Sequence, residues 1–140
     1  MGAALAQPYP VKPVRFLVPN PPGGGTDLVA RIVSQKVSER WDASLLVDNR
    51  PGAGGIIAVE VAARSAPDGY TLLMAHFPLA ITVNIAKVSF DPVRDFAPVI
   101  LLATTQNALA VYPSLPAKSV KEFIALAKSK PGQLSYASGG

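Results

Sequence analysis

The sequence predicts an α/β domain built on parallel strands. Three observations carry that expectation. Short runs at 14–18, 44–48 and 71–75 are apolar on both faces, as strands buried on both sides of a sheet are. The segments between them repeat their apolar residues at helical spacing. The connections are short and rich in Pro and Gly, which suits crossovers between parallel strands.

The elements follow in order. Residues 14–18 (Val-Arg-Phe-Leu-Val) form the first strand, and Pro19-Asn-Pro-Pro-Gly-Gly-Gly25 breaks it. Thr26 is expected to cap a helix over 27–40, its hydroxyl accepting from an early free N–H. Leu28, Val29, Ile32, Val33 and Val37 lie along one face of that helix, and Arg31, Gln35, Lys36 and Glu39 along the other. A second strand spans 44–48, and the loop Asn49-Arg-Pro-Gly-Ala-Gly-Gly55 leads into a helix over about 55–64. Pro67-Asp68-Gly69 is a turn before a third strand at 71–75.

Beyond it, 79–86 read as a short helix, 91–98 as a polar connection, and 99–103 and 108–112 as strands. Ser119-Val-Lys-Glu122 is a capping box, in which serine and glutamate satisfy each other's backbone N–H. The helix it opens places Val120, Phe123, Ile124 and Ala127 on one face and ends at Pro131-Gly132. A last strand is expected at 134–137, followed by Ser138-Gly139-Gly140, which is how a β-to-α ligand loop begins. No internal repeat stands out.

Composition narrows the function classes. Of 140 residues 49% are apolar and 16% charged, enough for a packed core. The formal charge is +4, but the lysines and arginines are scattered. Their densest group, Lys118, Lys121, Lys128 and Lys130, reads as the solvated face of a helix, and no nucleic-acid motif accompanies it. The absence of cysteine excludes disulfide scaffolds, thiolate metal sites and cysteine nucleophiles. No apolar run has the length of a transmembrane helix. Ala4-Leu5-Ala6 matches the cleavage end of a secretory signal, or else belongs to a short disordered tail.

The strongest chemical feature is Val18-Pro-Asn-Pro-Pro-Gly-Gly-Gly-Thr-Asp27. Glycines let backbone approach a ligand, and the following helix offers free N–H groups and a positive dipole end, so the loop can hold an anion. A tight turn that needs glycine is the alternative. No lysine follows in the P-loop position, and Gly52-Ala-Gly54 lacks the third glycine of a dinucleotide loop. Asp27 sits in the first helical turn, where a carboxylate suits the dipole and can cap. His76, the single histidine, follows the third strand. In a 2-1-3 sheet it would face the Gly23–Thr26 loop, as a ligand contact or a structural residue. No nucleophile elbow and no carboxylate pair lies near a ligand loop, and one histidine makes no ordinary metal site.

Seven segments, in order from Tyr9 to the last residue, resemble the tripartite tricarboxylate transporter receptors (the Bug/TctC family). They are Tyr9-Pro-x-Lys-Pro-Val-Arg-Phe-Leu-Val-Pro19, Pro-Pro-Gly-Gly-Gly-Thr-Asp27, Val47-x-Asn-Arg-Pro-Gly-Ala-Gly-Gly55, Pro67-Asp-Gly-Tyr-Thr-Leu-Leu73, Asp91-Pro-x-x-Asp-Phe-Ala-Pro98, Tyr112-Pro-Ser-Leu-Pro-Ala-Lys-Ser119 and Pro131-Gly-x-Leu-x-Tyr-Ala-Ser138.

The resemblance implies a flytrap-like (type II) periplasmic binding protein of two α/β domains. It would catch a small carboxylate (a tricarboxylate, dicarboxylate, amino acid or aromatic acid) and deliver it to a membrane transporter of the tripartite tricarboxylate type. It implies no enzyme activity, no cofactor, no nucleic acid and no membrane insertion. Residues 1–8 would be a signal remnant or disordered tail, 9–100 the first domain, and 101–140 the start of a truncated second domain. The family's ligand loops match Asn20, Pro21, Gly23, Gly24, Gly25, Thr26 and Asp27, then His76 and its neighbours, then Ser138 and Gly139. Asn20 stands where the family usually has an aromatic residue, and His76-Phe77-Pro78 replaces small polar residues. The rival readings are an α/β enzyme acting on a carboxylated or phosphorylated metabolite, and a nonfunctional truncated receptor.

Overall fold

A computed structural model of the chain describes residues 8–76, 78–106 and 108–137. They divide between two compact units, Met1–Ala103 and Thr104–Gly140.

The first unit contains β1 (Val14–Val18), α1 (Gly25–Ser38), β2 (Leu45–Asn49), a 3-10 turn (Ala53–Gly55), α2 (Ile56–Ala63), β3 (Thr71–Leu73) and α3 (Pro78–Ile85). The sheet order is β2-β1-β3 and both pairs are parallel. Val14 registers with Leu45, and Phe16 with Val47 on one side and Leu72 on the other. The central place of β1 explains its composition. Side chains alternate across a strand, so Val14, Phe16 and Val18 share one face, where they cluster with Ala30 of α1 and Leu45. Val33, Val37 and Trp41 close that side, and the Ser34 hydroxyl donates to the Leu45 carbonyl to fix α1 on β2. Leu17, fully buried, points to the opposite face, where α2 packs on β3 and β1 with Ala58 and Val59 buried.

The chain ahead of β1 is pinned at the other end of the sheet. The Tyr9 hydroxyl donates to the Gly69 carbonyl at 2.6 Å, and the Val11 N–H donates to the Tyr70 hydroxyl at 3.1 Å. The Tyr9 ring stands edge-on to Trp41 and Tyr70.

The second unit contains α4 (Val120–Ser129). The Ser119 hydroxyl accepts from the Glu122 N–H at 3.2 Å, as the capping box predicts. The Glu122 carboxylate, however, accepts from Lys118 at 2.8 Å and so closes the box one residue earlier than expected. No residue of α4 is buried.

Four expectations are corrected. Residues 99–103, 108–112 and 134–137 form no strand. Their apolar composition suits a sheet, but a strand exists only where its N–H and C=O groups meet a ladder partner, and the described sheet has only β1, β2 and β3. Val99, Ile100 and Leu101 are instead exposed. The fourth concerns α1. It starts at Gly25 on an extended Gly24, so Thr26 lies inside the first turn and is not its cap.

Candidate functional site

The C-terminal ends of the three strands lie side by side, and each releases a loop there. In a parallel sheet this edge is where ligands bind. β1 exits through Pro19–Gly24, β2 through Arg50–Gly55, and β3 toward His76.

The loop after β1 is organised by Asp27, which is 2% exposed. Its Oδ2 accepts from the Gly23 N–H at 2.9 Å and from Arg31 Nε at 2.9 Å, while its Oδ1 accepts from Asn49 Nδ2 at 2.9 Å. The Arg31 bond, then those from Gly23 and Asn49, hold the carboxyl well below the usual carboxylate range. The same contact raises Arg31 above its ordinary value. Asn49 Nδ2 also donates to the Asn20 carbonyl at 3.0 Å, and Asn49 Oδ1 accepts from Arg31 Nη2 at 3.2 Å. The end of β2 thus braces both flanks of the loop that leaves β1. The Asn20 side-chain oxygen is buried and makes no hydrogen bond among the described residues.

This bracing sets what the loop can do. Asp27 already holds the Gly23 N–H, and Arg31 balances its charge. The first turn of α1 has no intrahelical acceptor for the N–H groups of Gly25 and Thr26. Those donors lie beside an exposed segment, 21–25. Of the three glycines only Gly23, at φ 89°, needs glycine's freedom.

His76 lies just beyond β3, half-buried, and burial pushes its imidazole below the ordinary histidine value. A Cβ added at Gly55 would lie 3.0 Å from the imidazole Cε1 and 3.0 Å from Pro19 Cβ. The loop that the ring meets is therefore the one after β2. Beneath it is a cavity of about 10 Å³, lined by Gly55, Val59, His76, Leu79, Thr82 and Phe90. That volume is at most one water molecule. Among the described residues no group of His, Cys, Asp or Glu could hold a metal ion, and no helix is long and apolar enough to cross a membrane. Ser138 and Gly139 lie outside the described residues.

Three residues of the site escaped sequence reasoning. Arg31 had a usable signal, its i,i+4 spacing from Asp27. Asn49 and Gly55 had none beyond their place in a resembling motif, because their roles depend on which loops the sheet order brings together.

Residues 29–140 match the family model described as tripartite tricarboxylate transporter family receptor. The chain belongs to that receptor family. It spans about two fifths of the curated relatives it matches, 42% and 41% of two of them. A periplasmic transporter structure is 42% identical with a TM-score of 0.75, over 95% of this chain and 45% of that one. An R. palustris protein solved with adipate is 36% identical with a TM-score of 0.74, over 91% and 43%. MatC from Rhodopseudomonas palustris, solved with bound malate, is 30% identical with a TM-score of 0.67, over 86% and 42%. The parallel sheet with flanking helices is the fold of these periplasmic binding proteins, and the chain covers part of it.

Proposed function

We propose that this chain supplies one wall of a periplasmic receptor for small carboxylates that feeds a tripartite tricarboxylate-type transporter. It works by binding, without bond chemistry and without a cofactor. In this reading the loop Asn20–Asp27 receives one carboxylate end through the first N–H groups of α1, with His76 at the margin and Ser138-Gly139 as a second ligand loop. Residues 9–100 make the first domain and 101–140 begin the second.

The observation that carries the reading is the exposed 21–25 loop at the start of α1, held from behind by Asp27, Arg31 and Asn49. Donors fixed in advance bind an anion without further ordering cost. The adipate and malate of the two R. palustris structures supply the ligand class.

Gly24→Val tests it. Gly24 has φ −78° and ψ 168°, a conformation open to any residue, and its Cβ would meet only the Pro21 carbonyl at 3.8 Å. The variant therefore folds, but its side chain crowds the anion's approach. Calorimetry with adipate and malate at millimolar concentration should show weak binding by the chain and binding at least ~10-fold weaker by the variant, the loss of roughly one charge-assisted hydrogen bond. Equal affinity in the two, no binding by either, or chemical conversion of the acids would refute the reading.

A further inference from the structure

The Gly52–Gly55 loop takes an unusual path. Gly52, Ala53, Gly54 and Gly55 all have positive φ, at 123°, 49°, 64° and 94°. Ala53 is the only non-glycine residue of positive φ among those described, and such a residue is held there only by its surroundings. One bond within the loop, Gly55 N–H to the Gly52 carbonyl at 2.9 Å, does not tie it to the sheet. What seats it is packing. Gly55 is buried with the His76 ring and Pro19 against the place its side chain would occupy. From the other side His76 lies two residues ahead of α3, its carbonyl accepting from the Leu79 N–H at 3.0 Å. The imidazole therefore joins the loop after β2 to the start of α3, while Gly55 itself meets the exit of β1 at Pro19.

The surroundings of that imidazole carry no charge. Gly55 faces it, and Val59, Leu79, Thr82 and Phe90 complete its cavity. Helix α3 has no ionisable residue. The one on α2, Glu60, is paired with Arg64 and accepts from the Ser89 hydroxyl. Asp91, next to Phe90, is occupied by the Val93 and Arg94 N–H groups and the Arg94 side chain. A proton added to His76 would place a cation where no carboxylate is set to receive it.

We infer that His76 is an acid-sensitive latch: the neutral imidazole seats the Gly52–Gly55 loop against the start of α3, and protonation releases both. The lowered pKa of the seated ring agrees with this geometry and fixes the sign. A group whose folded pKa is depressed stabilises the seat fully above the ordinary histidine value of ~6.5, and that stability is lost as pH falls from there through the folded pKa. The latch stands whether or not the neighbouring loop binds carboxylates.

His76 is the only histidine of the chain, so its ring protons can be followed by NMR without assignment ambiguity. Titration between pH 7.5 and 4 should give a pKa below ~6.5. Hydrogen exchange at residues 53–56 and 79–85 should report an opening constant that rises by up to ~10-fold per pH unit below ~6.5 and levels off below the folded pKa. His76→Asn, which cannot be charged, should open to a pH-independent extent. A ring pKa at or above ~6.5 would overturn the latch even if the variant failed to fold. So would pH-independent opening in the unaltered chain, or the same pH dependence in His76→Asn.

Discussion

Gly55→Ala puts the packing around His76 to a quantitative test, with Gly54→Ala as its internal control. Both positions have positive φ, 94° and 64°, so an alanine at either costs ~1–2 kcal/mol of backbone strain. Both substitutions also narrow the unfolded ensemble by similar amounts, which cancels between them. The difference is steric. At Gly54 nothing lies within 4 Å of an added Cβ, whereas at Gly55 the imidazole Cε1 and the Pro19 Cβ both lie at 3.0 Å. Crowding of that kind costs ~1–3 kcal/mol. Gly55→Ala should therefore destabilise the first unit by about 2–5 kcal/mol and Gly54→Ala by about 1–2. Trp41, the only tryptophan, packs on the core of that unit, so urea unfolding followed by its fluorescence reads the right transition. If the two variants agree within ~0.5 kcal/mol, the contact with His76 and Pro19 does not constrain the loop. Repeating Gly55→Ala in a His76→Ala background separates the partners. The imidazole's share of the cost should vanish while that of Pro19 remains.

Two further outcomes follow from the same structure. Asp27→Asn should change the acid limb of stability. The folded carboxyl is held far below its ordinary value, so its contribution is complete above pH ~4 and declines by up to ~10-fold in the folding constant per pH unit below that. The gap between the chain and the variant, read by urea midpoints from pH 7 to 2.5, should be constant above pH ~4 and shrink below it, and a constant gap throughout would contradict the hydrogen-bonding role given to Asp27. Leu17→Ala removes a fully buried side chain from the central strand and should cost ~2–5 kcal/mol by the same fluorescence assay, a loss under ~1 kcal/mol showing that the α2 side of the sheet is not a packed core.

Local chemistry determined much of this protein from the sequence alone. Three of the apolar runs became the parallel strands β1, β2 and β3, and of these only the central β1 is buried along most of its length. Of the apolar face expected for α1, Val33 and Val37 pack on the core while Leu28 and Ile32 stay exposed, and Ser119 with Glu122 opened α4. The Pro-Pro-Gly-Gly-Gly loop and the helix behind it were legible because proline and glycine end a strand and the apolar spacing that follows marks a helix.

What the sequence could not express is pairing at a distance. Residues 99–103 have the composition of a strand, yet a strand needs a ladder partner, and composition carries no record of one. Thr26 looked like a cap because capping was judged from residue type. The structure starts the helix two residues earlier, at Gly25, and lets Asp27 reach back to Gly23, since Arg31 and Asn49 are there to hold its charge. The surroundings of His76 were decided in the same way. The 2-1-3 sheet order that the sequence reading took as its condition is the one formed, but only the fold of the loop after β2, which turns on glycines and Ala53 at positive φ, brought Gly55 against the imidazole. Tertiary structure alone decides such contacts, because residues far apart in the chain acquire their environment only when the strands that carry them are placed side by side.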